Sequence, residues 1–151
     1  MLLVCSIAAT IFFADLFLKT YLYKNFAYHS IPIIKNIFHI TLVKNTGAAF
    51  GILRGKTTFL IYISIIFIIT FLYMVYRDNK KGKSIAIAYG LILGGAVSNI
   101  YDRLFRGFVV DYIDLRVWPV FNLADTCITF GVFILFWKIY KNSKRNQKNY
   151  G

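Results

Sequence analysis

Apolar residues in this chain gather into four stretches separated by polar or basic connectors. Residues 2–18 carry one charge, Asp15; 59–76 and 85–101 carry none; 121–137 carries one, Asp125. Each stretch is 17 or 18 residues long, near the lower end of the ~17–25 needed to cross a bilayer core. Tyr73, Tyr76, Tyr101 and Trp137 sit at stretch ends, as an interfacial aromatic belt requires. The pattern predicts four transmembrane helices, with spans about 2–22, 57–76, 84–102 and 121–140. The first stretch has no positive n-region and no small-residue cleavage site, so it is expected to stay as helix one rather than leave as a signal peptide. "MLLVC" superficially resembles a lipobox, but Val4 is not small and no apolar region precedes it; the chain is not expected to be a lipoprotein itself.

Between the first two spans the period changes. "NIFHITLVKN" alternates, with Phe38, Ile40 and Leu42 on one face and His39 and Thr41 on the other, the pattern of a half-buried strand. After the turn residues Asn45, Thr46 and Gly47, "AAFGIL" is expected to return as a second strand closed by Gly55. The result is a small sheet lying on the membrane surface, with an apolar face suited to a greasy partner. The Lys/Asn-rich tail, 141–149, reads as disordered.

Composition supports lipid as the solvent. Hydrophobic residues make up 58% of the 151 and the mean hydropathy is +0.61. A net charge of +12 would fit nucleic acid, but a soluble binder would not carry such long apolar runs, so no nucleic-acid partner is expected. Lys and Arg cluster at segment ends instead, within reach of lipid head groups. The hairpin 77–83 and the stretch from Lys138 to Lys148 together hold nine basic residues, and the connectors on the opposite side, 19–56 and 103–116, also hold nine, so the raw count does not orient the chain. Density in the hairpin and tail favours cytoplasmic termini. Cys5 and Cys127 are far apart inside spans and read as small buried hydrophobes, while His29 and His39 read as ordinary loop or strand residues. No metal or cofactor is implied.

The polar residues inside this apolar chain carry its chemistry. An ionised Asp in mid-span costs roughly 2.5–3.5 kcal/mol on insertion scales, so such residues need partners or a task. Asp15 and Lys19 are spaced i,i+4 with the acid first, the order that favours a helix ion pair. Asn99, Asp102 and Arg103 put an amide, an acid and a guanidinium on one helical face beside the small residues Gly94, Gly95, Ala96 and Ser98. Either an interhelical network or a site for peptide carbonyls or a lipid head group fits them. Asn122 and Asp125 share a face near the start of helix four, where an acid also complements the helix dipole. Asp111, in "VVDYI", is surrounded by Val109, Val110 and Ile113, which favours desolvation. Thirteen residues separate Asp111 from Asp125, enough for a short excursion past Pro119 and back. Two carboxyls brought together in an apolar place share a proton, and such a pair can activate water against a carbonyl without a metal. Spacing alone leaves this dyad and a solvated acidic loop both open.

Taken together, the motifs "D-x-x-x-K" (Asp15, Lys19), "NTGAAF" (45–50), "GGAVSNIYDR" (94–103), "VVDYI" (109–113) and "FNLAD" (121–125) cover nearly the whole chain. In this order the chain resembles lipoprotein signal peptidase, signal peptidase II, the bacterial membrane aspartic protease. The resemblance implies a mainly α membrane protein, four transmembrane helices with a small extracytoplasmic β-cradle, about 31–56, and a basic cytoplasmic tail, about 141–151. It implies a catalytic dyad of Asp111 and Asp125. Asn45, Gly47, Asn99 and Arg103 fall on positions that contact substrate or shape the site, and Asp102, Asn122, Asp15 and Lys19 on supporting ones. The implied substrates are prolipoproteins whose lipobox cysteine already carries diacylglycerol, cut just before that cysteine. Membrane lipids and globomycin-type inhibitors are the other implied partners, and nothing requires a second subunit. The implied location is the bacterial cytoplasmic membrane, multi-pass, with the active site toward the outer leaflet. Ser98 stands where the family usually has Gly, Leu16 and Leu18 replace more polar residues, and the Asp111–Asp125 connection is shorter than in several members.

The competing reading is a small four-helix exporter in which a membrane Asp carries protons. It gives no reason for a strand-forming loop or for two acids at the outer end of the spans. Presenilin-type proteases would require a Gly-x-Gly-Asp motif, which is absent from the sequence.

Overall fold

A computed structural model describes residues 1–26, 30–48, 52–77 and 82–149. In chain order the elements are α1 (Leu2–Phe26), β1 (Ser30–Ile34), β2 (Phe38–Asn45), α2 (Thr57–Arg77), α3 (Lys83–Arg106), β3 (Val109–Asp114) and α4 (Leu123–Asn149); the tail 141–149, expected to be disordered, continues α4 as helix instead. All four helices are long and apolar enough to cross a membrane. Large apolar side chains such as Phe13, Phe17, Ile66, Ile69, Phe133 and Phe136 remain exposed on their outer faces. In water such a surface would aggregate; in a bilayer it meets acyl chains.

Helix α3 is the axis of the bundle and packs against each of the other three helices. Its small residues make this possible. A Cβ on Gly90 would lie 2.6 Å from Ile7 Cβ, and one on Gly94 2.6 Å from the Ala8 carbonyl oxygen, so this face of α3 lies directly on α1. Gly95 gives the same close approach to α4, where a Cβ would stand 2.5 Å from the Ala124 carbonyl oxygen. Between lipid-facing helices there is little hydrophobic gain in association, so backbone proximity of this kind supplies the packing. The buried apolar core, Val4, Phe71, Val75, Tyr89, Ile92 and Leu93, joins α1, α2 and α3.

The three strands form one antiparallel sheet in the order β1-β2-β3. Strand β2 occupies the alternating segment expected from sequence, but its neighbours were not foreseen. Ile52 and Leu53 of the expected return strand lie in a turn instead. Ala48 N–H donates to the Ile52 carbonyl at 2.7 Å, and Leu53 and Gly55 adopt φ of 58° and 79°. Residues 49–51 of that segment lie outside the described residues, as does His29. On one side β2 pairs with β1, whose Pro32 is tolerated because it sits in an edge strand. On the other it pairs with β3, which arrives from beyond two helices, with Val43 opposite Asp111 and Asn45 opposite Val109. Gly107 makes that connection. With φ 79° it closes α3 through a bond from its N–H to the Arg103 carbonyl, and β3 starts two residues later. Cys127 is buried as expected, whereas Cys5 is exposed on α1, so its thiol faces the surroundings of the bundle rather than its core.

Candidate active site

Where the sheet meets the first turns of α4, a cavity of about 890 Å³ opens, and both Asp111 and Asp125 line it. They arrive on different elements. Asp111 is carried by β3, where alternation sends Asp111 toward the cavity and the next residue, Tyr112, into the bundle. There the Tyr112 hydroxyl accepts from Leu123 N–H (3.2 Å) and donates to Asp15 Oδ1 (3.4 Å).

Asp125 stands in the first turn of α4, and Asn122 is the residue just before that helix. Asn122 Oδ1 accepts from Asp125 N–H at 2.8 Å, and Asp125 Oδ2 accepts from Asn122 N–H at 3.4 Å. This is a reciprocal capping box built from Asn and Asp. The helix-start role and the cavity-lining role expected as alternatives for Asp125 therefore coexist. Its other oxygen, Oδ1, is free of the cap and accepts from Asn99 Nδ2 at 2.8 Å.

Three asparagines surround the two carboxyls, and each has its amide direction fixed by a group able only to donate. The Asn45 oxygen accepts from Gly47 N–H (2.9 Å), so Asn45 Nδ2 turns to Asp111 Oδ2 (2.9 Å). The Asn122 oxygen accepts from the helix backbone, so Asn122 Nδ2 turns to Asp111 Oδ1 (2.7 Å) and Asn99 Oδ1 (3.2 Å). The Asn99 oxygen also accepts from Lys19 Nζ (2.9 Å), so Asn99 Nδ2 turns to Asp125. Arg103 adds a second tie to the Asn45 turn, donating from Nη2 to the Gly47 carbonyl at 2.9 Å.

Behind this layer is a buried network of charge. Lys19, fully buried, contacts Asp15 Oδ2 at 2.7 Å and Asp102 Oδ2 at 3.1 Å. Asp102 also contacts Arg106 at 2.9 Å and accepts from Val110 N–H at 3.0 Å, which ties α3 to the strand bearing Asp111. Asp15 accepts from Ser98 Oγ (2.6 Å) and from Ala124 N–H (3.2 Å) at the start of α4. Two acids face two bases here, and burial of ions is tolerated only with such pairing. Because the ion pair Asp15–Lys19 reaches Asn99 and the α4 N-terminus, it is more than a local helix pair.

Burial pushes the Asp111 carboxyl up from 3.8 to about 7, and the neighbouring charge of Asp125 adds to the rise; the bonds from Asn45 and Asn122 and the charge of Lys19 oppose it. Asp114, three residues on, goes the other way. Burial raises it, but the Arg116 N–H, Thr41 and the Arg116 guanidinium outweigh burial and hold it below the ordinary value. Of these two acids on β3, Asp111 alone is adjusted to hold a proton near neutral pH.

The model for signal peptidase (SPase) II matches residues 7–141. The chain belongs to the signal peptidase II family. It is 45% identical over 115 residues to the lipoprotein signal peptidase of Halothermothrix orenii, covering 76% of this chain and 79% of that one. With the lipoprotein signal peptidase of Bacillus subtilis it is 40% identical over 147 residues, 94% of this chain and 96% of the relative. Among solved structures, a bacterial membrane enzyme determined by the in meso method at 2.3 Å resolution superposes with a TM-score of 0.87 at 32% identity, over 94% of this chain and 90% of that one. A second, at 1.9 Å, gives 0.80 at 33% identity, over 90% and 91%. Membership makes the chain a multi-pass bacterial membrane peptidase of lipoprotein processing.

In this chain, the hydrogen bonds and ion pairs above join Asp111, Asp125, Asn45, Gly47, Asn99, Asp102, Arg103, Asn122, Asp15 and Lys19 into one connected set. Sequence reasoning missed three members. Tyr112 was hidden inside the "VVDYI" motif, and Arg106 stands i,i+4 from Asp102, a spacing that could have exposed it. Ser98 figures in the sequence only as a small residue standing where the family usually has Gly. The structure uses its hydroxyl instead, as a donor to buried Asp15.

Proposed function

We propose that the four spans and the sheet act as a single aspartic endopeptidase unit. It would remove signal peptides from diacylglyceryl-modified prolipoproteins by cutting before the lipidated cysteine. The observation that carries this reading is the convergence of Asp111 and Asp125 on one cavity that both line, each held there by an asparagine amide. Asp111 holds the proton at rest and Asp125 is the carboxylate. Asp125 accepts a proton from water as the water oxygen attacks the scissile carbonyl carbon, while Asp111 donates its proton to the carbonyl oxygen. The tetrahedral diol then collapses, returning one hydroxyl proton to Asp111. The proton held by Asp125 goes to the departing amide nitrogen, which leaves as the amine of the cysteine.

The cavity's other residues fit the same substrate. Asn45, Thr46 and Arg103 offer donors to an extended peptide, with Gly47 fixing the turn that carries Asn45. Ile128 and Phe130 line the α4 side, where the acyl chains would leave for the bilayer. An anchored diacylglyceryl group holds the scissile bond at the depth of this site, which removes most of the search for a productive geometry. On this reading the termini are cytoplasmic, the site faces the outer leaflet, the unit works as a monomer, and globomycin-type inhibitors occupy the same cavity.

The direct test incubates purified protein in lipid with a diacylglyceryl-modified prolipoprotein and with its unlipidated form. Cleavage of the first alone is expected. Asp111→Asn and Asp125→Asn should each abolish it while the proteins still insert and bind substrate. Robust cleavage by either variant removes the dyad, and transport without cleavage would favour an exporter.

A further inference from the structure

The buried ammonium of Lys19 has no contact with the cavity, yet it touches a residue that does. We propose that Lys19 is a positioning residue for the reaction, holding the Asn99 amide so that its Nδ2 faces Asp125. This rests on Asp125 being the carboxylate of the dyad.

An asparagine amide presents an acceptor on one side and donors on the other, and only its surroundings decide which way it points. For Asn45 and Asn122 the deciding donor is a backbone N–H, which no side-chain substitution removes. For Asn99 it is Lys19 Nζ at 2.9 Å, which can donate and cannot accept. Turning the Asn99 amide over would set its NH2 against the ammonium and against Asn122 Nδ2, and would aim its oxygen at the Asp125 carboxylate. Three repulsive contacts would replace three hydrogen bonds. With Lys19 gone, its charged donor is lost and only Asn122 Nδ2 and the Asp125 carboxylate itself oppose the flip.

Lys19 is itself located by two acids. Asp15 Oδ2 and Asp102 Oδ2 hold its head group between α1 and α3. Asp15 in turn is fixed by Ser98 Oγ and by Ala124 N–H on α4. The helix that carries Asp125 therefore also anchors the acid that places Lys19, so the donor to Asp125 and Asp125 itself share one frame.

The test separates this role from simple charge balance. Lys19 is replaced in an Asp15→Asn background, which removes one buried charge of each sign. Two replacements are compared: Lys19→Gln, which keeps an NH2 donor, and Lys19→Met, which has a similar shape and no donor. The Met variant is expected to lose about tenfold or more in kcat relative to the Gln variant, with KM for the lipidated prolipoprotein unchanged. In a further Asn99→Ala background the difference between Gln and Met should vanish, because the residue through which Lys19 acts is gone. Equal kcat for the Gln and Met variants, or a difference that survives Asn99→Ala, overturns the proposal. Failure of both to insert also overturns it, since Lys19 would then serve the fold alone. If the dyad reading itself is wrong, Asp125→Asn cleaves normally in the parallel assay, an outcome that cannot be confused with equal activity of the two Lys19 variants.

Discussion

Asp111 lies in a strand with Val109 and Val110 and opposite Val43, and its ionisation is resisted by that burial and by the second acid. A folded pKa of about 7 against 3.8 means that the native state binds the extra proton between those values. Stability contributed by this group is therefore fully present below its unfolded pKa and is lost as pH rises toward 7. On the proposed mechanism, activity follows the same proton. The kcat/KM for lipidated substrate, which reports the free enzyme, should fall above about pH 7 as Asp111 deprotonates. A pH–rate profile flat from pH 6 to about 9 would contradict Asp111 as the proton donor. At this scale the sequence revealed the two acids through their motifs and apolar flanks. It did not reveal the amide directions, because these depend on Gly47, Lys19 and the α4 backbone, which meet only after folding.

Among the elements, the helices were legible because lipid imposes a length and an apolar content on each span, and the sheet was legible only in part. Strand β2 shows alternation in its residue types, Phe38, Ile40 and Leu42 against His39 and Thr41, although none of its residues is fully buried. Strand β3 is buried along most of its length, so "VVDYID" has no clear period to read, and its pairing with β2 spans two helices of sequence. The contact of α3 with α4 sets the spacing between Asn99 and Asp125, and Gly95 sets that contact. Gly95→Ala would press a methyl against the Ala124 carbonyl at 2.5 Å and force the helices apart. A loss of about 1–3 kcal/mol in stability is expected, read as a lower thermal midpoint in detergent. Activity should fall further than unfolding explains, because the Asn99–Asp125 bond is stretched. Gly82→Ala, with φ of −59° and open space around it, is the control and should change neither.

For the molecule as a whole, equal basic counts on the two sides leave orientation to density, which favours the hairpin and tail. Ser143→Cys, in a protein with Cys5 and Cys127 replaced, should react with an impermeant maleimide only after cells are permeabilised, whereas Ser30→Cys should react in intact cells. The reverse pattern would turn the assembly over and put the cavity on the wrong side for exported prolipoproteins. The charge network has a consequence for biogenesis as well. Helix α1, carrying Asp15 and Lys19, is synthesised before α3 and α4, and the partners Asn99, Ser98, Asp102 and Ala124 follow 80 to 109 residues later. A nascent chain halted after its second helix would hold an ion pair with no polar neighbours but lipid. A chain truncated after α2 is therefore expected to hold α1 in the membrane less firmly than the full chain, read as faster proteolysis of the truncated form.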